Sequence, residues 1–287
     1  MEKSKSEIES RRLEKRLKER FVKAMATYHL IEDDDRILVG LSGGKDSLLL
    51  LELLAKRAKI HHPRFEVEAL HVRMENIHYE TDTSYLQAFC DDLGVKLHVR
   101  TTSFEVDVIS STVERSPHSS VDERTLHSNT AERSLHSLRS VEMTSKDKRR
   151  QKQPCFLCSW MRRKEMFNLA QELGCNKIAL GHHQDDLIHT ALMNLTFQGR
   201  FDTMPASLKM RTMPLTIIRP LCMMEESDIK TYAEMRGYQK QTKRCPYETD
   251  SHRTEIKGLY DAIEQINPEA RFSIWRALNA DNKLIDE

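Results

Sequence analysis

The run Ser42-Gly43-Gly44-Lys45-Asp46-Ser47 crowds two glycines, a cation, a carboxylate and two hydroxyls into six positions. Glycines accept positive φ and let the backbone approach a ligand without interference from Cβ. Where such a run turns a strand into a helix, successive amide N–H groups and the positive end of the helix aim at one point. That is an anion site, and phosphate is the usual anion. Lys45 adds a charge, Ser42 and Ser47 add hydroxyl donors, and Asp46 makes sense beside phosphates only with a Mg²⁺ ion between them. The spacing is neither G-x-x-x-x-G-K-[ST] nor G-x-G-x-x-G, which disfavours a Walker loop and a dinucleotide fold.

A second group of reactive residues is built on sulfur. Cys155 and Cys158 form a C-x-x-C pair at the start of a predicted helix, with Arg162 and Arg163 one turn further on. A pair alone fits a redox disulfide, half a zinc site or part of an iron-sulfur site. Cys245 is a third thiol in a later loop, and the position three residues on is Glu248. Three thiolates suit a cluster with one iron left open, whereas zinc needs a fourth ligand, for which His252 is the candidate. Cys90, Cys175 and Cys222 read as ordinary core residues.

The elements that must hold these groups alternate. RILVGL, FEVEALHV, KLHVRTT, KIALGHH and TIIRPL are short apolar strands. The helices interleaved with them start at Asp46 and at about Thr83, Ser159 and Asp186. This rhythm predicts an α/β domain with a doubly wound parallel sheet covered on both faces. Ligands collect beyond the carboxyl ends of such strands, where SGGKDS, HVRMEN, GHHQDD and RPLCMMEE fall. Asp185 and Asp186 therefore compete between a Mg²⁺ or nucleotide role, for at least one of them, and helix capping.

Residues 1–30 form a basic helical extension, with nine Lys or Arg against five Asp or Glu between Glu2 and Lys23. Leu13, Leu17, Phe21 and Met25 draw one apolar stripe along it, so it either docks by that stripe or reaches for phosphates. Residues 31–235 are the α/β domain, and 236–287 a C-terminal segment with the third thiol and further helices. The domain is interrupted at 111–152 by a nine-residue repeat of the type Arg-Ser/Thr-x-His-Ser, which is expected to be a disordered insertion. Its spaced His118, His127 and His136 bring no metal ligands together.

With a net charge of +1 in 287 residues, any basic surface must be local. The opening MEKSKSEIESRRLEKRLKER lacks the apolar core of a signal peptide, and no apolar run reaches the roughly 20 residues of a membrane helix. A cytoplasmic protein without a membrane partner is expected, its cysteines thiols or metal ligands and not disulfides.

SGGKDS looks like the PP-loop of the ATP pyrophosphatases, which split ATP into AMP and pyrophosphate to adenylate a substrate oxygen. Together with CFLCSWMRR, ELGCNKIALGHHQDD, IIRPLCMMEESDI, Cys245 and NPEARFSIWRALN, it resembles the tRNA 2-thiocytidine synthetase family from about Ala24 to Asn279, outside the repeat. The resemblance implies ATP, Mg²⁺ and a [4Fe-4S] cluster as cofactors. It makes tRNA the substrate, most often at cytidine 32, and a cysteine desulfurase system the kind of sulfur donor; a homodimer is compatible with it. It gives Cys155, Cys158 and Cys245 to the cluster, and Ser42, Gly43, Gly44, Lys45, Asp46, Ser47, Gly181 and His182 to the nucleotide. Lys45, Asp46, Asp185 and Arg162 become catalytic residues. The chain departs from the family in the insertion and in Glu248, where a second C-x-x-C often ends. Two rivals are another PP-loop tRNA enzyme of the 2-thiouridine or lysidine type, and a zinc-stabilised tRNA-binding protein without catalysis. A lysidine-type enzyme would need none of the three thiols.

Overall fold

The computed structural model describes residues 2–79, 83–104, 154–245, 247, 252–280 and 284–286. The 111–152 insertion with its three repeat histidines, and Glu248, lie outside the described residues. In chain order the elements are α1 (Glu2–Thr27), β1 (Asp35–Gly40), α2 (Lys45–Ala58), β2 (Phe65–Met74), β3 (His78–Tyr79), α3 (Ser84–Leu93) and β4 (Lys96–Thr102). After the insertion come α4 (Pro154–Glu172), β5 (Lys177–Ala179), α5 (Gln184–Gln198), β6 (Ser207–Lys209), β7 (Thr216–Ile218) and α6 (Glu226–Arg236). The chain closes with β8 (Lys243–Arg244), α7 (His252–Ile266), α8 (Ala270–Ala280) and β9 (Ile285–Asp286).

The main sheet runs β4-β2-β1-β5-β7-β6-β9. Its first five strands are parallel, as the sequence predicts for a doubly wound domain. Beyond them β6 joins antiparallel to β7, and β9 pairs with β6. The chain moves outward in both directions from the β1/β5 boundary, so the switch point of the sheet lies there, between the loops that follow these two strands.

Alternation along β1 shows how the sheet is covered. Ile37 and Val39 enter the larger apolar core with α1, α2, α3 and α6, while Leu38 enters a second core with Leu169 and Ala170 of α4. Period-two side chains thus bury both faces of one strand. Helix α2 carries LLLLELL, and every residue from Ser47 to Ala55 is buried. Its single internal carboxylate, Glu52, accepts hydrogen bonds from Tyr232 Oη at 2.8 Å and Tyr238 Oη at 2.5 Å, which ties α2 to α6 and the segment after it.

The stripe on α1 docks as one of its two readings expects: Leu13, Leu17, Phe21 and Met25 are all buried. Part of the basic face is engaged as well, since Arg16 makes a two-pronged contact with Asp228 (2.9 and 2.6 Å) and Arg20 pairs with Glu225 at 2.8 Å. Helix α4 begins at Pro154, five residues ahead of the predicted start, because proline suits the first helical position, where no amide donor is needed. Strands β5 and β7 stop after three residues, so GHH and RPL are loops at the carboxyl edge instead of strand ends. No described helix is long and apolar enough to cross a membrane.

Candidate active site

Between the end of β1 at Gly40 and the start of α2 at Lys45 the chain turns in four residues. Gly43 has φ +82°, and a Cβ there would lie 3.0 Å from the Gln241 side chain, so both backbone and space require glycine. The hydroxyls hold the turn together. Ser42 Oγ accepts from the Gly44 N–H at 3.3 Å and stands 3.1 Å from Ser47 Oγ, which donates to the Gly44 carbonyl at 2.9 Å. Lys45 Nζ lies 3.1 Å from Asp46 Oδ1 and 3.2 Å from Glu226 Oε1. Burial opposes its charge, but these two carboxylates outweigh burial and raise its pKa. A nucleotide phosphate arriving here would compete with Glu226 for Lys45.

The loop after β5 closes the other side. A Cβ on Gly181 would stand 3.1 Å from both the Asp46 carbonyl carbon and the Ser47 nitrogen, so the first turn of α2 rests directly on this glycine. His183 is buried among three carboxylates: Asp46 at 3.8 Å and Asp185 and Asp186 at 3.5 Å each. Burial alone would lower its pKa, yet these neighbours raise it. The two aspartates differ in what they hold. Asp185 is buried and both of its oxygens are engaged, Oδ2 accepting from the Glu226 N–H at 2.8 Å and Oδ1 from Arg271 Nη2 at 2.7 Å. Burial would raise its pKa, but His183, Arg271 and that N–H hold the carboxyl well below the usual range. Asp186 accepts from the His183 N–H at 3.0 Å, caps α5, and keeps a third of its side chain exposed. His182, His183, Asp186, Glu226 and Lys257 line a cavity of about 250 Å³ beside the loop.

The three thiols gather at the same edge of the sheet, over β2 and β4. Cys155 Sγ donates to the Tyr247 carbonyl at 3.4 Å, two residues past Cys245. Cys158, Cys245 and Tyr247 pack together against Met74, Ile77 and Phe104. The two-stranded ribbon β3–β8 brings this about, pairing Tyr79 with Lys243 and His78 with Arg244, so that Cys245 leaves the ribbon beside the end of β2. Among the described residues no three His, Cys, Asp or Glu side chains are grouped to hold one metal ion. Ligands of a single tetrahedral zinc with Zn–S of about 2.3 Å would stand within about 4 Å of one another. Thiolates on separate irons of a cluster stand further apart. His252, the fourth zinc ligand considered from sequence, contacts Glu255 at 2.9 Å and the Phe197 ring.

Arg162 sits one turn past Cys158 and donates from Nη2 to Tyr79 Oη at 3.1 Å. The remaining cysteines are inert by burial, which pushes the Cys90 and Cys222 thiols up to about 12 and that of Cys175 to about 11. Sequence reading missed Glu226, Lys257, Arg271, His71 and Tyr79. Glu226 bridges Lys45 and, at 2.8 Å, Lys257 of α7, and Lys257 with Lys45 lowers its pKa to about 2. The places of Glu226 in RPLCMMEE and of His71 in HVRMEN, both at the ligand edge, were the available signal; Lys257, Arg271 and Tyr79 are single charged or aromatic residues without a local pattern.

Comparison with known proteins bears on the family and the fold. A PP-loop domain model matches residues 10–123 and 157–257. A tRNA-cytidine(32) 2-sulfurtransferase of Pseudomonas putida (strain GB-1) is 30% identical, the match spanning 97% of this chain and 91% of that protein. The protein of the same name from Pseudomonas fluorescens (strain SBW25) is 29% identical over the same shares. Among solved structures, the U34-tRNA thiolase NcsA from Methanococcus maripaludis, with its [4Fe-4S] cluster, superposes with a TM-score of 0.60 at 24% identity, covering 92% of this chain and 77% of that one. That likeness bears on the fold. With a PP-loop at the switch point and relatives matched along nearly its whole length, the chain belongs to the tRNA-cytidine(32) 2-sulfurtransferase family of PP-loop, ATP-using proteins.

Proposed function

We propose that this protein thiolates tRNA at cytidine 32, using ATP to activate the C2 oxygen and the three thiols to hold a [4Fe-4S] cluster. One observation carries the reading: the PP-loop and Cys155, Cys158 and Cys245 lie on one edge of the sheet, linked through His71, Tyr79 and Arg162. The pyrimidine C2 oxygen attacks the α-phosphorus of ATP, a new P–O bond forming as the bond to pyrophosphate breaks. Sulfur at the oxidation level of sulfide then adds to C2, and the oxygen departs in AMP, so no net electron transfer is needed. Loop amides and Lys45 stabilise charge on the leaving pyrophosphate. Mg²⁺ would be shared by the phosphates with Asp46 and Asp186, while Asp185 positions α6 and α8 around the site. Arg162 is placed to orient the target nucleotide beside the thiols. When bound, the cluster supplies an iron without a protein ligand, a Lewis-acid seat for the incoming sulfur. Three thiols at one edge of the sheet, with Cys90, Cys175 and Cys222 buried elsewhere, fit that need. The sulfur itself would come from a cysteine desulfurase type of donor, whose persulfide sulfur takes two electrons from a thiol reductant, leaving a disulfide, to reach the level of sulfide before it adds to C2.

The direct test is release of AMP and pyrophosphate by anaerobically purified protein. It should depend on added tRNA, and a tRNA carrying uridine at position 32 should not support it equally. AMP formed at the same rate without tRNA would remove the reading.

A further inference from the structure

Tyr79, Arg73 and Arg162 form a cluster of donors for which the described residues provide no anion. Tyr79 Oη accepts from Arg162 Nη2 and from the Met74 N–H, each at 3.1 Å. With both lone pairs used, its own proton is left for an acceptor outside these contacts. Arg162 Nε is buried without a partner. The Arg73 guanidinium lies over the Tyr79 ring, 5.6 Å from its centroid. Among the described residues neither arginine pairs with a carboxylate, although nearly every other cation around the nucleotide loop does. Two guanidinium groups and a phenol proton in one place call for an oxyanion, and arginine forks match phosphate oxygens in particular.

We propose that this cluster seats a backbone phosphate of the substrate RNA. The inference rests on the tRNA reading above and adds to it the residues that fix the RNA. The nucleotide's own phosphates have Lys45 and the loop amides. The cluster stands apart from them behind His71, whose Nδ1 donates to the Leu41 carbonyl at 2.7 Å and whose ring meets Tyr79 edge-on at 6.5 Å. On its other side Tyr79 packs with Cys158 and Cys245 against Met74, Ile77 and Phe104. A phosphate held there hangs its nucleotide between the adenylating loop and the thiols. Tyr79 is in this account a positioning residue, fixing Arg162 and supplying one donor.

The experiment measures binding of fluorescently labelled tRNA to the anaerobic full-length protein across a salt series, beside binding of a non-hydrolysable ATP analogue. Arg73→Gln is expected to weaken tRNA binding about tenfold and to reduce the slope of log affinity against log salt by about one, the signature of a lost phosphate contact. Arg73→Lys, which keeps the charge, restores the slope. Tyr79→Phe weakens tRNA binding about threefold by removing one hydrogen-bonding hydroxyl. Analogue affinity and iron content stay at wild-type values in all three. If Arg73→Gln does not fold, Tyr79→Phe carries the test. Wild-type tRNA affinity and slope in the folded variants would overturn the proposal. So would loss of analogue affinity with tRNA binding intact, which gives the cluster to the nucleotide. A wild-type protein that binds no tRNA would instead sink the proposed function itself.

Discussion

Single residues at this site are legible from sequence when their chemistry demands a rare backbone. Gly43 announced the turn because only glycine suits φ +82° against the Gln241 side chain. Lys45 and Asp46 follow from the same logic. If Lys45 neutralises pyrophosphate, Lys45→Ala should lower AMP formation at least about a hundredfold, as removal of a charge-stabilising donor does elsewhere, while iron content and thermal midpoint hold. Asp46→Ala should act in the same direction and respond to added Mg²⁺. Gly181 has a role that sequence left vague. A methyl group there meets backbone at 3.1 Å, which cannot yield as a side chain can. Gly181→Ala is therefore expected to weaken binding of an ATP analogue and to cost about 1–3 kcal/mol in chemical denaturation, through overpacking. A variant with wild-type affinity would show that the α2 contact is looser than described. The division between Asp185 and Asp186 was not readable, because it depends on Arg271 and the Glu226 N–H, which lie 86 and 41 residues from Asp185.

At the scale of elements, periodicity served well where segments were long. The α1 stripe and the two-faced apolar β1 each appear where the pattern puts them. Short pieces escaped it. The ribbon β3–β8 has two residues per strand, too few for alternation to register, yet it delivers Cys245 to the other thiols. The antiparallel β6 and the closing β9 are equally short. The apolar run of α2 hid the importance of its one carboxylate. Burial opposes the charge of Glu52, but Lys56, Tyr238 and Tyr232 outweigh it and lower its pKa. A carboxyl with a lowered folded-state pKa contributes stability that is present above its unfolded value, near 4.3, and lost as pH falls through the folded value. Glu52→Gln should thus cost about 2 kcal/mol at neutral pH, the scale of hydrogen bonds to a charged group, and flatten the acid limb of stability against pH. Equal acid sensitivity in variant and parent, measured by urea midpoints from pH 3 to 7, would place the titration elsewhere.

In the whole molecule, the sheet's switch point gathers the nucleotide loop, and two ion-pair chains extend it outward. One runs from Lys45 through Glu226 to Lys257 of α7, the other from Asp185 to Arg271 of α8 and on to Glu264 at 3.2 Å. The C-terminal helices are thereby joined to the active site by ion pairs, a connection between charges distant in the chain that no local pattern could display. The thiols complete the arrangement on the neighbouring strands. The central claim is that ATP activation and sulfur delivery meet on one nucleotide. It is tested most directly by incubating anaerobic protein with ATP, a sulfide source and unmodified tRNA, then digesting the tRNA for nucleoside mass spectrometry. The wild-type protein should convert cytidine 32 to 2-thiocytidine with one AMP formed per thiolation. Cys155→Ala, Cys158→Ala and Cys245→Ala should each abolish the product and lose iron, and His252→Ala should retain both. Stoichiometric zinc in place of iron, released by His252→Ala, with no 2-thiocytidine from the wild-type protein, would contradict the account.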